Sequence, residues 1–162
     1  MNNATTKTKG KYAELKERHQ QMWNELPIKY AFGNLQFSKM VDSFGLSMDE
    51  NAENYYGGKL IPIGYGGYIR KDDVDKISEY NETVKAENKA AIETAKNNEK
   101  DGNGFLFEMF TTELFNHEYA LTEDLSEALR ACEVTADEIN SSPYMLKALK
   151  NACNYIRKNT RM

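Results

Sequence analysis

A glycine-rich aromatic stretch, Tyr55-Tyr56-Gly57-Gly58-Lys59-Leu60-Ile61-Pro62-Ile63-Gly64-Tyr65-Gly66-Gly67-Tyr68-Ile69-Arg70-Lys71, sets the first limit on what this chain can fold into. Strand-forming residues, glycines, aromatics and positive charge coincide there, whereas most of the remaining sequence carries helical periodicity. Gly64-Tyr65-Gly66 supplies the positive φ that a tight hairpin turn requires, which predicts strands near Lys59–Ile63 and Gly67–Arg70. Pro62 has no N–H to donate, so its strand belongs at an edge. A lone hairpin is marginal in water, and the alternating segment Ile28-Lys29-Tyr30-Ala31-Phe32 offers a third strand.

Helices account for the rest. Tyr12, Leu15, His19, Met22 and Leu26 recur at the 3–4 spacing of one buried stripe, which predicts a helix over Lys11–Glu25 that stops at Pro27. Leu35, Phe37, Met40, Val41 and Phe44 form a second apolar face, with Gly45 as its C-cap. Asp72-Asp73 begin a long helix reaching towards Lys100. Its first half has an apolar face (Val74, Ile77, Tyr80, Val84); its second half offers only alanines and Ile92, so that half is expected to project or to meet a partner. After the break at Asp101-Gly102-Asn103-Gly104, the run Phe105–Phe115 is apolar almost all round and belongs at the centre of the core. Thr122 is expected to start a helix carrying Leu125, Ala128, Leu129 and Cys132. Thr135 with Glu138 fits a capping box, and Ser142-Pro143 opens the last helix. The pattern predicts an α+β fold, mainly helical, with five to six helices around a small antiparallel hairpin or three-stranded sheet.

The 162 residues suffice for a single globular domain, 11–162, behind a polar N-terminal tail, 1–10. No apolar run approaches the roughly 18–20 residues needed to span a membrane, and the polar N-terminus lacks the core of a secretory signal. Cys132 and Cys153 read as reduced, buried thiols, consistent with a cytoplasmic protein. The formal net charge of −4 is unevenly spread. Residues 101–142 hold Asp101, Glu108, Glu113, Glu118, Glu123, Asp124, Glu127, Glu133, Asp137 and Glu138 against Arg130 alone. Such a block solvates helix faces and supplies their N-termini; it also repels phosphate and attracts basic surfaces.

Few residues are suited to catalysis. Glu113 and His117, four apart, share a helix face and could hold a divalent ion with Glu108. Metal sites need three or four protein ligands, however, and the only other histidine is His19. His117 near a helix C-terminus, paired with Glu113, is the structural alternative. No metal and no cofactor is assigned. Glu108, between Phe107 and Met109, is expected to be buried and to need a partner. The glycines of the hairpin do not match phosphate-loop spacings. Tyr55, Tyr56, Tyr65 and Tyr68 could stack on bases while Lys59, Arg70 and Lys71 meet phosphates, although Asp49, Glu50, Glu53, Asp72 and Asp73 flank them. The last helix begins Pro143-Tyr144-Met145, too poor in cations for a major-groove reader.

Phe32 with Gln36-Phe37, then Gly64-Tyr65-Gly66-Gly67-Tyr68-Ile69-Arg70-Lys71, then Asp101-Gly102 leading into Met109-Phe110, and Glu113-Leu114 with Asn116-His117-Glu118-Tyr119, Thr122 and Asp124, follow one another in a characteristic order. This combination resembles a family of small uncharacterised proteins from phages and mobile elements of gut Firmicutes and Bacteroides, over most of the chain as far as Leu129. The resemblance brings no catalytic residues with it. It implies a small protein of a mobile element inside a bacterial cell, of the kind that binds host machinery, including restriction and CRISPR defences.

The expected function is therefore that of a non-enzymatic interaction protein, an anti-CRISPR-like inhibitor of a host nucleic-acid-directed defence complex. Its expected partner is a host protein or nucleoprotein complex, with no membrane involved. The expected contacts are Tyr55, Tyr56, Lys59, Tyr65, Tyr68 and Arg70 of the hairpin and Glu123, Asp124, Glu127, Asp137 and Glu138 of the acidic block. The alternatives are a metal-dependent hydrolase built on Glu113 and His117, and a nucleic-acid-binding accessory protein using the hairpin.

Overall fold

The computed structural model describes residues 10–46 and 59–160. The expected acidic loop Met48–Asn54 and the expected contacts Tyr55 and Tyr56 lie outside the described residues. The fold is α+β and mainly helical, with eight helices and a three-stranded antiparallel sheet among the described residues. In order these are α1 (Lys11–Asn24), β1 (Lys29–Tyr30), α2 (Asn34–Ser43), β2 (Leu60–Gly64), β3 (Gly67–Arg70), α3 (Val74–Asn98), α4 (Phe105–Asn116), α5 (Tyr119–Thr122), α6 (Ser126–Ala131), α7 (Ala136–Ser141) and α8 (Pro143–Thr160). Five of the helices have at least seven residues; the others are short turns between α4 and α8. No described helix is long and apolar enough to cross a membrane. The chain divides into two units: residues 10–17 with 86–160, and residues 18–46 with 59–85.

The first unit is built around α4. Leu106, Met109, Phe110 and Leu114 are buried on it, as its near-continuous apolar run requires. Each such side chain contributes roughly 1.5–3 kcal/mol by leaving water. Against them lie Met145, Ala148, Leu149, Ala152, Cys153 and Ile156 of α8, a single stripe at 3–4 spacing, together with Ala128, Val134 and Ile139. The second half of α3 does not project. Ala95 is buried in this cluster, and Ala91 and Ile92 pack against it. Small side chains there permit close helix packing, which propensity alone reads as weak anchoring.

Carboxylates borrowed from elsewhere close the helix starts in this unit. Glu99 accepts hydrogen bonds from Phe105 N (2.7 Å) and Leu106 N (2.9 Å) at the start of α4. Glu108 accepts from Tyr12 N (3.2 Å) and Ala13 N (2.8 Å) at the start of α1. In both cases the preceding residue is glycine, and a Cβ on Gly104 or Gly10 would strike the capping carboxylate. Thr135 and Glu138 form the expected capping box on α7, and Ser142 Oγ accepts from Met145 N behind Pro143. The helix expected from Thr122 begins instead at Ser126. Glu118 and Glu123 take left-handed φ values (57° and 54°) around the short α5, and Asp124 accepts from the Ser126 amide at 2.9 Å.

In the second unit the sheet order is β1-β3-β2, so β2, with Pro62, is an edge strand as expected. The register pairs Leu60 with Arg70, Ile61 with Ile69 and Pro62 with Tyr68, and an irregularity between Pro62 and Gly64 precedes the turn. Leu60 and Tyr68 share one face, where Ala31, Met40, Val41, Phe44 and Leu60 form a small core with Phe37, Leu46 and Tyr68 against it. Ile69, on the opposite face, is fully buried. Gly45 (φ 71°) ends α2 in a Schellman arrangement, its N–H on Asp42 O and that of Leu46 on Val41 O. Trp23 and Tyr80 meet edge-to-face at 5.2 Å.

Candidate functional site

The hairpin tip gathers exposed aromatic surface. Gly64, Tyr65 and Gly66 all have positive φ (91°, 52° and 76°), which turns β2 into β3 within two residues and leaves Tyr65 at the apex. Tyr65 is 98% exposed, and its αL backbone is one that an ordinary side chain occupies only at a cost of about 1–2 kcal/mol. The β1–α2 connection lies against the same turn: Ala31 N donates to Gly66 O at 2.9 Å. A Cβ on Gly66 would collide with the Phe32 ring, and one on Gly67 would press on Tyr30. These glycines therefore let Phe32 and Tyr30 lie directly over the turn. Gln36 Oε1 accepts from Phe32 N at 2.8 Å and fixes that corner, while Tyr30 Oη accepts from Trp23 Nε1 at 3.2 Å.

The result is an exposed aromatic patch of Tyr30, Phe32 and Tyr65, and Leu35 in the first turn of α2 is exposed as well. The expected contact residues are only partly here. Tyr68 is half-buried with its ring at 5.2 Å from Phe37, so it serves the core of the unit rather than a contact surface. Lys59 and Arg70 are exposed at the far end of the hairpin from Tyr65. Leu35, assigned by its spacing to the apolar face of α2, is exposed. Tyr30 and Phe32 were missed as surface residues, although their alternation with the buried Ala31 is the signal that turns them outward.

The acidic block does not form a continuous free face. Asp124 lies two residues ahead of α6, and hydrogen bonds from the Ser126 hydroxyl and amide hold its carboxyl below the usual range. Glu138 belongs to the capping box. Glu123 Oε1 lies 3.7 Å from Arg157 Nε, and Glu127 Oε2 lies 3.5 Å from His117 Nδ1. Asp137 is exposed in the first turn of α7.

Glu113 and His117 do share a face, with Nε2 3.5 Å from Glu113 Oε2. Glu113 is buried and accepts a hydrogen bond from Tyr12 Oη, with Lys16 Nζ 3.7 Å away. Burial first, and the Glu113 hydrogen bond second, push the Tyr12 phenol well above its ordinary value. Burial likewise pushes the neighbouring Cys132 thiol up to about 12. The structure does not bring Glu108 to this pair, because its carboxylate is held by the amides of α1. Among the described residues no three His, Cys, Asp or Glu side chains are grouped as metal ligands. A cavity of about 10 Å³ beside Tyr12, Lys16 and Cys132 has room for one water at most. This cluster holds protons inside the core and ties α1 to α4.

Fold and site together define a mainly helical α+β protein that displays an aromatic hairpin tip. The chain belongs to a family of unknown function, DUF7659, whose model matches residues 11–155. No curated protein matches it. No solved structure matches it either.

Proposed function

We infer that this is an interaction protein whose contact surface is the hairpin tip. The observation that carries this reading is Tyr65, a fully exposed aromatic held in a strained left-handed turn beside exposed Phe32. Backbone strain spent on presenting an apolar ring to water is characteristic of a binding surface, and tyrosine is enriched in such surfaces. The described acids of the 101–142 block support it less, since four of the five expected contacts there have partners within the chain. The finer reading is an anti-CRISPR-like inhibitor of a nucleic-acid-directed defence complex, made by a phage or mobile element and acting in the bacterial cytoplasm. It rests on the family resemblance of the sequence.

The test adds the purified protein to a purified RNA-guided nuclease and follows both complex formation and target cleavage. Binding with loss of cleavage, abolished in Phe32→Ser/Tyr65→Ser and kept in His117→Ala, is the expected result. Binding that survives the double substitution but fails when Glu123, Asp124, Glu127, Asp137 and Glu138 are neutralised would move the contact to the acidic block. Turnover of a hydrolysable substrate that His117→Ala abolishes would replace the reading with catalysis.

A further inference from the structure

The outward face of α8 reverses the charge of the chain around it. Residues 143–162 carry Lys147, Lys150, Arg157, Lys158 and Arg161 and no acid, in a protein of net charge −4. The helix dipole accounts for cations in the last turn, but Lys147 and Lys150 stand in the first half of α8. With the apolar stripe of α8 turned inward, Lys147, Lys150, Asn154, Tyr155 and Lys158 are exposed. Tyr155 is 48% exposed, and its ring meets Phe107 of α4 edge-to-face at 5.7 Å.

A groove runs on each side of this aromatic pair, and the two share Asn103, Phe107 and Tyr155. One, of about 720 Å³, is lined by Asn154, Arg157 and Lys158 and by no acid. Arg157 donates to Tyr119 Oη at 2.9 Å and lies 3.7 Å from Glu123, which leaves Lys158 as the cation with no carboxylate beside it among the described residues. The other, of about 550 Å³, contains Lys11, Thr111 and Thr112. Its two acids, Glu99 and Glu108, are occupied by the backbone amides of α4 and α1.

We propose that these joined grooves bind a single strand of nucleic acid, with a base stacked on Tyr155 beside Phe107 and phosphates met by Lys158 in one groove and Lys11 in the other. An aromatic ring with flanking cations and amide donors is the combination that holds single strands without reading sequence. Two open grooves that adjoin suit a linear chain better than a compact molecule. An acidic peptide would satisfy the lysines but leave the aromatic pair without a matching planar group. The surface lies in a different unit from the hairpin tip, so it stands or falls independently of the proposed contact there.

The test is fluorescence anisotropy with labelled 15-mers of oligo(dT) and oligo(U) at 50 and 200 mM salt, with polyglutamate as competitor. Binding of one strand or both, weakening steeply with salt, is expected. Tyr155→Ala should weaken it about tenfold and Tyr155→Phe should restore it. Lys11→Glu/Lys158→Glu should abolish it while circular dichroism shows the helices intact. The preferred oligonucleotide identifies RNA or DNA as the ligand. Absence of binding at 50 mM salt, or binding indifferent to Tyr155→Ala, would overturn the proposal. Displacement by polyglutamate as effectively as by unlabelled strand would overturn it in favour of an acidic peptide.

Discussion

Glu133 follows the last turn of α6 with φ 57°, its N–H on Arg130 O (3.0 Å) and that of Val134 on Leu129 O (3.2 Å). This is the same helix ending that Gly45 gives α2, but with a side chain where glycine is unstrained. Glu133→Gly is therefore expected to stabilise the protein by about 0.5–1 kcal/mol, read as a higher urea midpoint at unchanged slope. Tyr65 occupies the same backbone region with a different consequence. Asparagine tolerates αL, and the ring of Tyr65 touches little within the fold, so Tyr65→Asn should leave the thermal midpoint unchanged or slightly raised. The same substitution should abolish the partner binding proposed for the hairpin tip. A fall in stability on Tyr65→Asn would instead make the ring part of the fold.

Helix starts show which elements were legible in the sequence. The capping box at Thr135/Glu138, proline at the first position of α8 and the glycine after α2 were readable because each device lies within a few residues of the end it serves. The cap on α1 was not, since Glu108 lies 95 and 96 residues beyond the amides it accepts from. Glu108 therefore reads in the sequence as a buried acid in need of a partner, whereas it is half-buried and its partner is backbone. Thr122 misled for a related reason: two left-handed residues, Glu118 and Glu123, break the chain into short turns that no periodicity announces. The same long-range logic fixes the break after α3. Gly102 has φ 68°, and a Cβ there would come within 2.8 Å of Asn151 Nδ2 and 3.1 Å of the Ala148 backbone. Asn151 in turn donates to Gly102 O at 3.0 Å. Gly102→Ala should thus cost roughly 2–3 kcal/mol in thermal denaturation, from αL strain added to displacement of α8. Glu99→Ala should cost about 1–2 kcal/mol and speed hydrogen exchange at the Phe105 and Leu106 amides first. Uniform acceleration across all amides would show that Glu99 does not act as a cap.

At the scale of the whole molecule, the apolar pattern placed α4 at the centre of a core and marked a third strand for the sheet by its alternation, because burial follows periodicity. It did not foresee that the small residues in the second half of α3 join that core, nor that Tyr12 and Cys132, both expected to be buried, come together with buried Glu113 of α4. Those polar groups make global stability depend on alkaline pH. Cys132, ordinarily near 9.0, is raised to about 12 in the folded protein by burial, and Tyr12 is raised well above its ordinary 10.0 by burial and by Glu113. Burial also raises Tyr80 and Tyr119. A group with a raised folded value keeps its proton when the unfolded chain has already lost it. The stability it contributes is complete below the unfolded value and drains away as pH rises from there towards the folded value. Above pH 9 each unit should cost roughly 1 kcal/mol through Cys132, and above pH 10 a similar amount through Tyr12. The denaturation midpoint should be flat from pH 7 to 9 and then fall with increasing slope to pH 12. Cys132→Ala should flatten the first part of that fall, and Tyr12→Phe the later part, whatever each does to stability at pH 7. Tyr12→Phe will lower the neutral midpoint as well, because it removes the donor to buried Glu113. The slope rather than the starting value is therefore the diagnostic. An alkaline slope unchanged in both variants would place the titrating groups elsewhere and overturn the account of this cluster as a proton-holding tie between α1 and α4.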